Sequence, residues 1–102
     1  MVNFRKYTNL TNIAIPNNIR LTTNDISSAF YNMINLVSVS FNHPNVINMG
    51  YTYYNCANLT SSPVCGNNVT SMGYTYYDCT NLTGSPACGD NVSNMSYTYR
   101  NC

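Results

Sequence analysis

Apolar positions along this chain follow two alternating spacings. Ile13 and Ile15 flank a small residue, which places both side chains on one face of a short strand, and residues 36–41 repeat the spacing. Within residues 72–79, apolar or small side chains recur at i, i+3, i+4 and i+7, which is one face of a short helix. Clusters of Gly, Asn and Asp separate the segments as turns. The pattern predicts units of strand, turn, short helix and turn.

The two spacings recur together at an interval of 23 residues. The sequence GYTYYNC at 50–56 returns as GYTYYDC at 73–79 and as SYTYRNC at 96–102. One unit cannot bury its apolar face alone, whereas stacked units bury a continuous core. We therefore predict one solenoid domain over residues 1–102, with a three-residue insertion near 17–24. Its expected parts are an atypical first repeat or cap at 1–23, a degenerate repeat at 24–44, repeats at 45–67 and 68–90, and a partial repeat at 91–102.

Equivalent positions of stacked repeats form ladders of like side chains. The ladders expected to point inward consist of Leu, Met, Tyr and Cys. Their members are Leu36, Leu59 and Leu82, then Met49, Met72 and Met95, then Tyr53, Tyr76 and Tyr99, then Cys56, Cys79 and Cys102. A further ladder of Asn35, Asn58 and Asn81 is expected to bond turn backbone between coils.

Tyrosines outside these ladders form two further rows. Tyr51, Tyr74 and Tyr97 are predicted to line one flank, beside a second exposed row that Arg100 ends. Tyrosine is rigid, amphipathic and enriched at interfaces, so the rows are a candidate interaction surface. The alternative is that each ring only braces the ring of the next coil. The full candidate surface is Tyr31, Tyr51, Tyr54, Tyr74, Tyr77, Tyr97 and Arg100.

Two motifs connect the repeat to a known family. LTNIAIP at 10–16 and AFYN at 29–32 resemble the BspA-like leucine-rich repeat of bacterial surface proteins, a unit of 23 residues. Later copies depart from that pattern, with Ser62 and Ser85 at strand positions and Thr-Tyr in place of Ala-Phe. The resemblance implies an α/β repeat solenoid, a right-handed coil with short parallel strands on one face and short helices or turns on the other. It also implies a non-enzymatic protein-binding module for adhesion or host recognition.

Composition limits the classes of partner. Charged residues make up only 7% of the chain, nineteen residues are Asn, and the net charge is +1. Such a surface carries no field that would steer a ligand, and it lacks the basic patch of a nucleic-acid-binding protein. No stretch reads as a signal peptide or a membrane span, so we expect no membrane insertion. A chain made without an export signal can still be part of a phage particle or an extracellular assembly.

Catalytic and metal-binding chemistry is not expected. His43 is the single histidine, in a turn before a proline, and Asp25, Asp78 and Asp90 are scattered with no Glu in the chain. No carboxylate pair or phosphate-binding loop is evident, so the protein is predicted to have no enzymatic activity and no cofactor.

Five cysteines admit two interpretations. Their spacing lacks the close pairs of a zinc site. Buried reduced thiols are favoured for Cys56, Cys79 and Cys102, as the family resemblance implies. Cys65 and Cys88 are the pair expected to join if a disulfide forms.

Three functions remain open. The first is binding of a protein partner, in adhesion or host recognition. The second is a structural fibre in which copies stack head to tail, because near-identical coils and low charge favour self-association. The third is a small phage-encoded inhibitor of a host protein, of the anti-CRISPR type. Pull-down and mass measurements distinguish them.

Overall fold

The computed structural model describes residues 4–14, 25–40, 46–60, 68–83 and 90–102. Two strands lie within them, β1 (Asn12–Ala14) and β2 (Ser38–Ser40). They pair in parallel, with Ile13 opposite Val39. The strand positions expected of the later repeats, the insertion near 17–24, and the residues His43, Cys65 and Cys88 lie outside the described residues.

Coil stacking continues past the two strands through single parallel bridges. Asp25 bridges to Asn48, Asn48 to Ser71, and Ser71 to Asn94, so four successive coils are in register at this position. The register follows the 23-residue interval, because residues that occupy the same place in consecutive coils lie next to each other. The family resemblance and this stacking agree on a repeat solenoid.

Tight turns form the side of the coil for which the pattern predicted short helices or turns, and the described residues contain no helix. Thr52 N–H donates to the Met49 carbonyl, and Cys56 N–H donates to the Tyr53 carbonyl. The third residue of each turn, Tyr51 and then Asn55, has a φ of 57°. A left-handed residue at that position is the mark of a type II turn, and it prevents a right-handed helix from continuing.

The same left-handed geometry recurs in the four coils described from residue 25 onward. It falls at two positions of the repeat, the third residue of the first turn and the third residue of the second. These residues are Ser28, Tyr51, Tyr74 and Tyr97 at the first position, and Asn32, Asn55, Asp78 and Asn101 at the second.

Backbone hydrogen bonds between coils pair the N–H and C=O groups that form no hydrogen bond within the turns. On the turn side, alternate N–H groups donate to the next coil, as Phe30 does to Thr52 at 2.9 Å and Tyr53 to Thr75 at 2.9 Å. On the opposite side the direction reverses, and Thr60 N–H donates to the Val37 carbonyl of the preceding coil. Each inner coil is therefore bonded to both neighbours through its backbone, as buried peptide groups require.

The core contains the inward ladders as stacked side chains. Leu36, Leu59, Met72, Tyr53 and Tyr76 are buried. An aromatic stack runs through the core from Phe4 through Phe30, Tyr53 and Tyr76 to Tyr99, with ring centroids 5.1–5.6 Å apart.

The last coil departs from the predicted core. Met95 was expected to point inward but is 43% exposed, and Cys102 is also exposed. Leu82 and Tyr99 are half-buried. These residues differ from their counterparts because, within the described residues, each has an equivalent residue in a neighbouring coil on one side, whereas Met72 and Cys79 have one on both sides.

Threonine hydroxyls form a buried polar ladder beside this core. The Thr75 hydroxyl donates to the Met49 carbonyl at 2.8 Å and lies equally close to the Met72 carbonyl. Thr52 and Thr98 occupy the same position in the coils on either side, and all three are buried. Asn35 and Asn58 bond backbone of the preceding coil as predicted, donating to the carbonyls of Thr8 and Ile34. Asn81 instead donates to the Asn58 side chain.

Candidate interaction surface

Two columns of tyrosine run side by side along the solenoid axis. The left-handed third residue of the first turn supplies Tyr51, Tyr74 and Tyr97. The second residue of the next turn supplies the other column. We call the six rings, together with the arginine that follows them, the tyrosine surface: Tyr31, Tyr51, Tyr54, Tyr74, Tyr77, Tyr97 and Arg100.

Rings within each column stack face to face, except that Tyr97 is tilted by 30° against Tyr74. Tyr31 and Tyr54 lie 4.7 Å apart between centroids, and Tyr54 and Tyr77 lie 4.9 Å apart, with planes within 4° of parallel. In the other column Tyr51 and Tyr74 lie 4.7 Å apart, and Tyr97 follows Tyr74 at 5.1 Å. These distances equal the spacing of stacked coils, so the backbone register sets the ring stacking.

Tilted contacts join the two columns. Tyr51 meets Tyr54 at 5.5 Å and Tyr74 meets Tyr77 at 5.5 Å, with planes about 40° apart. Each inner ring therefore contacts others both along its column and across to the next. Aromatic pairs contribute about 0.5–1.5 kcal/mol each beyond the area they bury. The tyrosine surface is thus pre-ordered, and the rings brace the solenoid.

The rings remain accessible despite this packing. Tyr51 is 40% exposed and Tyr97 is 51% exposed, while Tyr31, Tyr54, Tyr74 and Tyr77 are half-buried. Stacked neighbours cover the faces of the inner rings, so their edges are what a partner can reach. Ring stacking and exposure occur together, so the geometry is compatible with both of the predicted alternatives, an interaction surface and bracing.

Two phenol groups of the tyrosine surface, those of Tyr54 and Tyr74, have a raised pKa. Desolvation raises the pKa of Tyr54, and the neighbouring Tyr31, Tyr77 and Asp78 raise it further. Desolvation likewise raises the pKa of Tyr74, while Arg100 acts in the opposite direction. Near neutral pH these hydroxyls are therefore protonated and can both donate and accept hydrogen bonds.

Arg100 is the charged member of the tyrosine surface, and Asp78 lies beside it. The Arg100 guanidinium lies over the Tyr97 ring, 5.3 Å from its centroid, within the range of a cation–π contact. The Asp78 carboxylate follows Tyr77 directly and accepts a hydrogen bond from Asn101 Nδ2 at 2.7 Å.

A neutral groove of about 390 Å³ adjoins the Tyr51 column. Sequence reasoning missed it, although the 23-residue spacing of Asn48, Ser71 and Asn94 was a signal. Asn48 Oδ1 accepts the Gly50 N–H at 2.9 Å, and Asn94 Oδ1 accepts the Ser96 N–H at 3.1 Å. These bonds explain the asparagine that immediately precedes the first turn in these two coils. Hydroxyl and amide side chains line the groove with no charged residue: Ser27, Ser28, Asn48, Ser71, Asn94 and Ser96.

Cysteine side chains lie away from this surface, on the core side. The thiols of Cys56 and Cys79 donate to the carbonyls of Phe30 and Tyr53, each at 3.1 Å. Desolvation raises the pKa of Cys56 to about 12 and raises that of Cys79 as well. Cys56, Cys79 and Cys102 are unbridged.

Metal and membrane sites are absent from the part of the chain that the structure describes. No group of three or more His, Cys, Asp or Glu side chains in these residues could hold a metal ion. Nor is there in this part a helix of the length and hydrophobicity needed to cross a membrane.

Comparison with known proteins identifies the repeat. The family model described as the BspA type leucine rich repeat region matches residues 2–102 in six copies. No curated protein and no solved structure matches the chain. Leucine-rich repeats are typically protein-interaction modules and are generally non-catalytic. Because the matched segment covers nearly all of the sequence, the chain belongs to the BspA-type leucine-rich repeat family.

Proposed function

We propose that this chain is a non-enzymatic protein-binding module that holds its partner on the tyrosine surface, in adhesion or host recognition. The observation that carries the proposal is the array of six ordered tyrosines, in which rings 4.7–5.1 Å apart along each column leave their edges accessible.

Pre-ordering supports binding through this array. Association normally costs about 0.5–1.5 kcal/mol for each flexible side chain that becomes fixed at an interface. Stacking has already fixed Tyr54 and Tyr74 in the free protein. Tyrosine is also among the residues that dominate measured binding energy at interfaces.

The low net charge of the chain predicts how it associates with a partner. With a net charge of +1 the chain has little long-range attraction for any partner, so recognition depends on contact. Association should be slow to moderate in rate and weakly dependent on salt, with specificity in hydroxyl contacts and shape.

The test is a selection of binders from a displayed library of random peptides, followed by mapping with variants. Tyr74→Ser with Tyr77→Ser removes two rings, whereas Tyr74→Phe with Tyr77→Phe keeps the stacking and loses only the hydroxyls. We expect the Ser pair to abolish binding. Thr60→Ser, which is exposed on the opposite side of the coil and keeps the hydroxyl, is the matched control and should bind normally.

Three outcomes contradict the proposal. Binders unaffected by the Ser pair would place recognition elsewhere. Loss of binding together with unfolding, seen as loss of the thermal transition, would leave the rings as braces. A mass by light scattering that rises above 11.4 kDa with concentration, and that the Ser pair does not change, would favour stacking of copies instead.

A further inference from the structure

The column that holds Tyr31, Tyr54 and Tyr77 has an arginine at each end. Phe4 stacks on Phe30 at 5.1 Å with planes 3° apart, and Tyr7 N–H closes a turn on the Phe4 carbonyl. Arg5 is therefore the second residue of its turn, the position that Tyr31 takes in the next coil. Arg100 takes this position in the last coil, and both arginines are exposed.

The distance between the two arginine positions follows from the coil spacing. Four coil steps separate them, and at about 4.8 Å a step this gives roughly 19 Å. Observed ring distances of 4.7 and 4.9 Å along the column agree with that step. Lys6 adjoins Arg5 and adds a second cation at that end, with its Nζ 5.3 Å from the Tyr7 ring centroid.

We propose that the tyrosine surface binds an extended peptide segment with an acidic residue at each end, its two carboxylates paired with Arg5 and Arg100. An extended chain rises about 3.3 Å per residue, so the two acids should lie about six residues apart. An even separation also keeps them on one face of the strand. This inference rests on the proposed function, because it specifies what that surface holds.

The placement of charge favours this ligand over a continuous polyanion. Nucleic acids carry a phosphate at every nucleotide, and their binding sites carry matching rows of cations. Here the three positions between the arginines hold neutral tyrosines. Asp78, next to Tyr77, would repel a phosphate there, and it already raises the pKa of Tyr54. A peptide that is acidic at its ends and neutral between them meets no such repulsion.

The experiment repeats the random-peptide selection on the wild-type chain and on the Arg5→Gln, Arg100→Gln double variant. We expect wild-type binders to be enriched in acid pairs about six residues apart, the length of the span, over pairs at odd separations. Selected acid-pair peptides should lose about two- to five-fold in affinity for each arginine replaced, the scale of an exposed ion pair. Replacing their acids with Gln should give the same loss, and added salt should reduce the difference.

A matched control is Lys6→Gln, which removes a cation outside the column. If Lys6→Gln lowers the affinity as much as Arg5→Gln does, the effect arises from overall charge and the inference is overturned. Binders that depend on Tyr74 and Tyr77 but show no acid spacing would also overturn it, although the proposed function would then stand. Binders that depend on the arginines but not on the tyrosines would contradict both, and so would a selection that yields no binders.

Discussion

The Cys79 thiol donates a hydrogen bond to the Tyr53 carbonyl, 3.1 Å away in the preceding coil. Cys56 and Cys102 repeat the contact to Phe30 and Tyr76. A 23-residue spacing thus becomes a ladder in which each thiol joins one coil to the coil before it. Because the inner thiols are buried and act as donors, the ladder stabilises the protonated form.

Thiol reactivity should differ along that ladder. At a pH below 9, a thiol with a pKa of about 12 has roughly one thousandth of the thiolate of one at 9.0. We expect an alkylating reagent to modify exposed Cys102 first and to leave Cys56 and Cys79 unmodified in the native protein. Peptide mass mapping measures each site separately. Rapid modification of Cys56 in the folded chain would contradict the buried ladder.

The raised thiol pKa also makes stability depend on pH. Cys56 ionises near 9.0 in the unfolded chain and near 12 in the folded one. Its contribution is complete below about pH 9 and is lost as the pH rises toward 12. We expect the free energy of unfolding to fall over this window, and to fall less steeply in Cys56→Ala. Urea titrations of both proteins across the window measure the difference. Equal slopes would disprove the assignment.

Thr75→Val should destabilise the chain by about 0.5–1.5 kcal/mol, because it removes one buried hydrogen bond between coils while keeping the side-chain shape. The hydroxyl lies 2.8 Å from the Met49 carbonyl. Thr80 is the matched control, since its hydroxyl donates to the Ala57 carbonyl at 3.4 Å and the residue is exposed. Thr80→Val should change stability by less than about 0.5 kcal/mol. Chemical denaturation of both variants measures this, and equal effects would contradict a structural role for the buried ladder.

Position 78 should accept Gly at a lower cost in stability than Ala, since the φ of Asp78 is 61° and a Cβ is unfavourable there. We expect Asp78→Gly to be more stable than Asp78→Ala by about 1 kcal/mol, although Gly gains entropy in the unfolded chain. Both variants lose the bond from Asn101 equally. At Ala57, which is not left-handed, Ala→Gly should instead lower stability by about 0.5–1 kcal/mol. Thermal unfolding tests both signs, and an advantage for Ala at position 78 would reject the left-handed turn.

Met72 and Met95 occupy the same repeat position with different burial. Met72→Ala should cost about 2–5 kcal/mol, because it opens a cavity between two coils. Met95 is 43% exposed, and its replacement should cost about 1 kcal/mol or less. Denaturant titration compares the two. Equal losses would show that the last coil is covered in solution as completely as the one before it.

Much of the tertiary neighbourhood was predictable from the 23-residue interval. It predicted one ladder of Tyr53 and Tyr76 and another of Cys56 and Cys79. In the structure the two tyrosine rings stack, and the two thiols make equivalent hydrogen bonds. The interval placed the outer tyrosines in two rows. The interval succeeds because stacked coils in register bring residues one repeat apart to within about 5 Å of each other.

Other features could not be predicted from the pattern. Apolar positions at i, i+3, i+4 and i+7 suit a helix and a pair of tight turns equally well, and only the left-handed φ of Tyr51 and Asn55 decides between them. Tyrosine seldom adopts that conformation, so its identity predicts nothing of the kind. The polar groove and the exposure of Met95 depend on the path of the backbone and on which coils flank a residue.

The sequence by itself determined which residues are neighbours, because periodicity dictates the stacking partners of any coil. The tertiary structure decided how each residue meets its neighbour: which rings lie face to face and which thiol donates to which carbonyl. Burial and hydrogen-bond direction arise from coils packing on both sides of a residue, and a one-dimensional pattern does not contain that information.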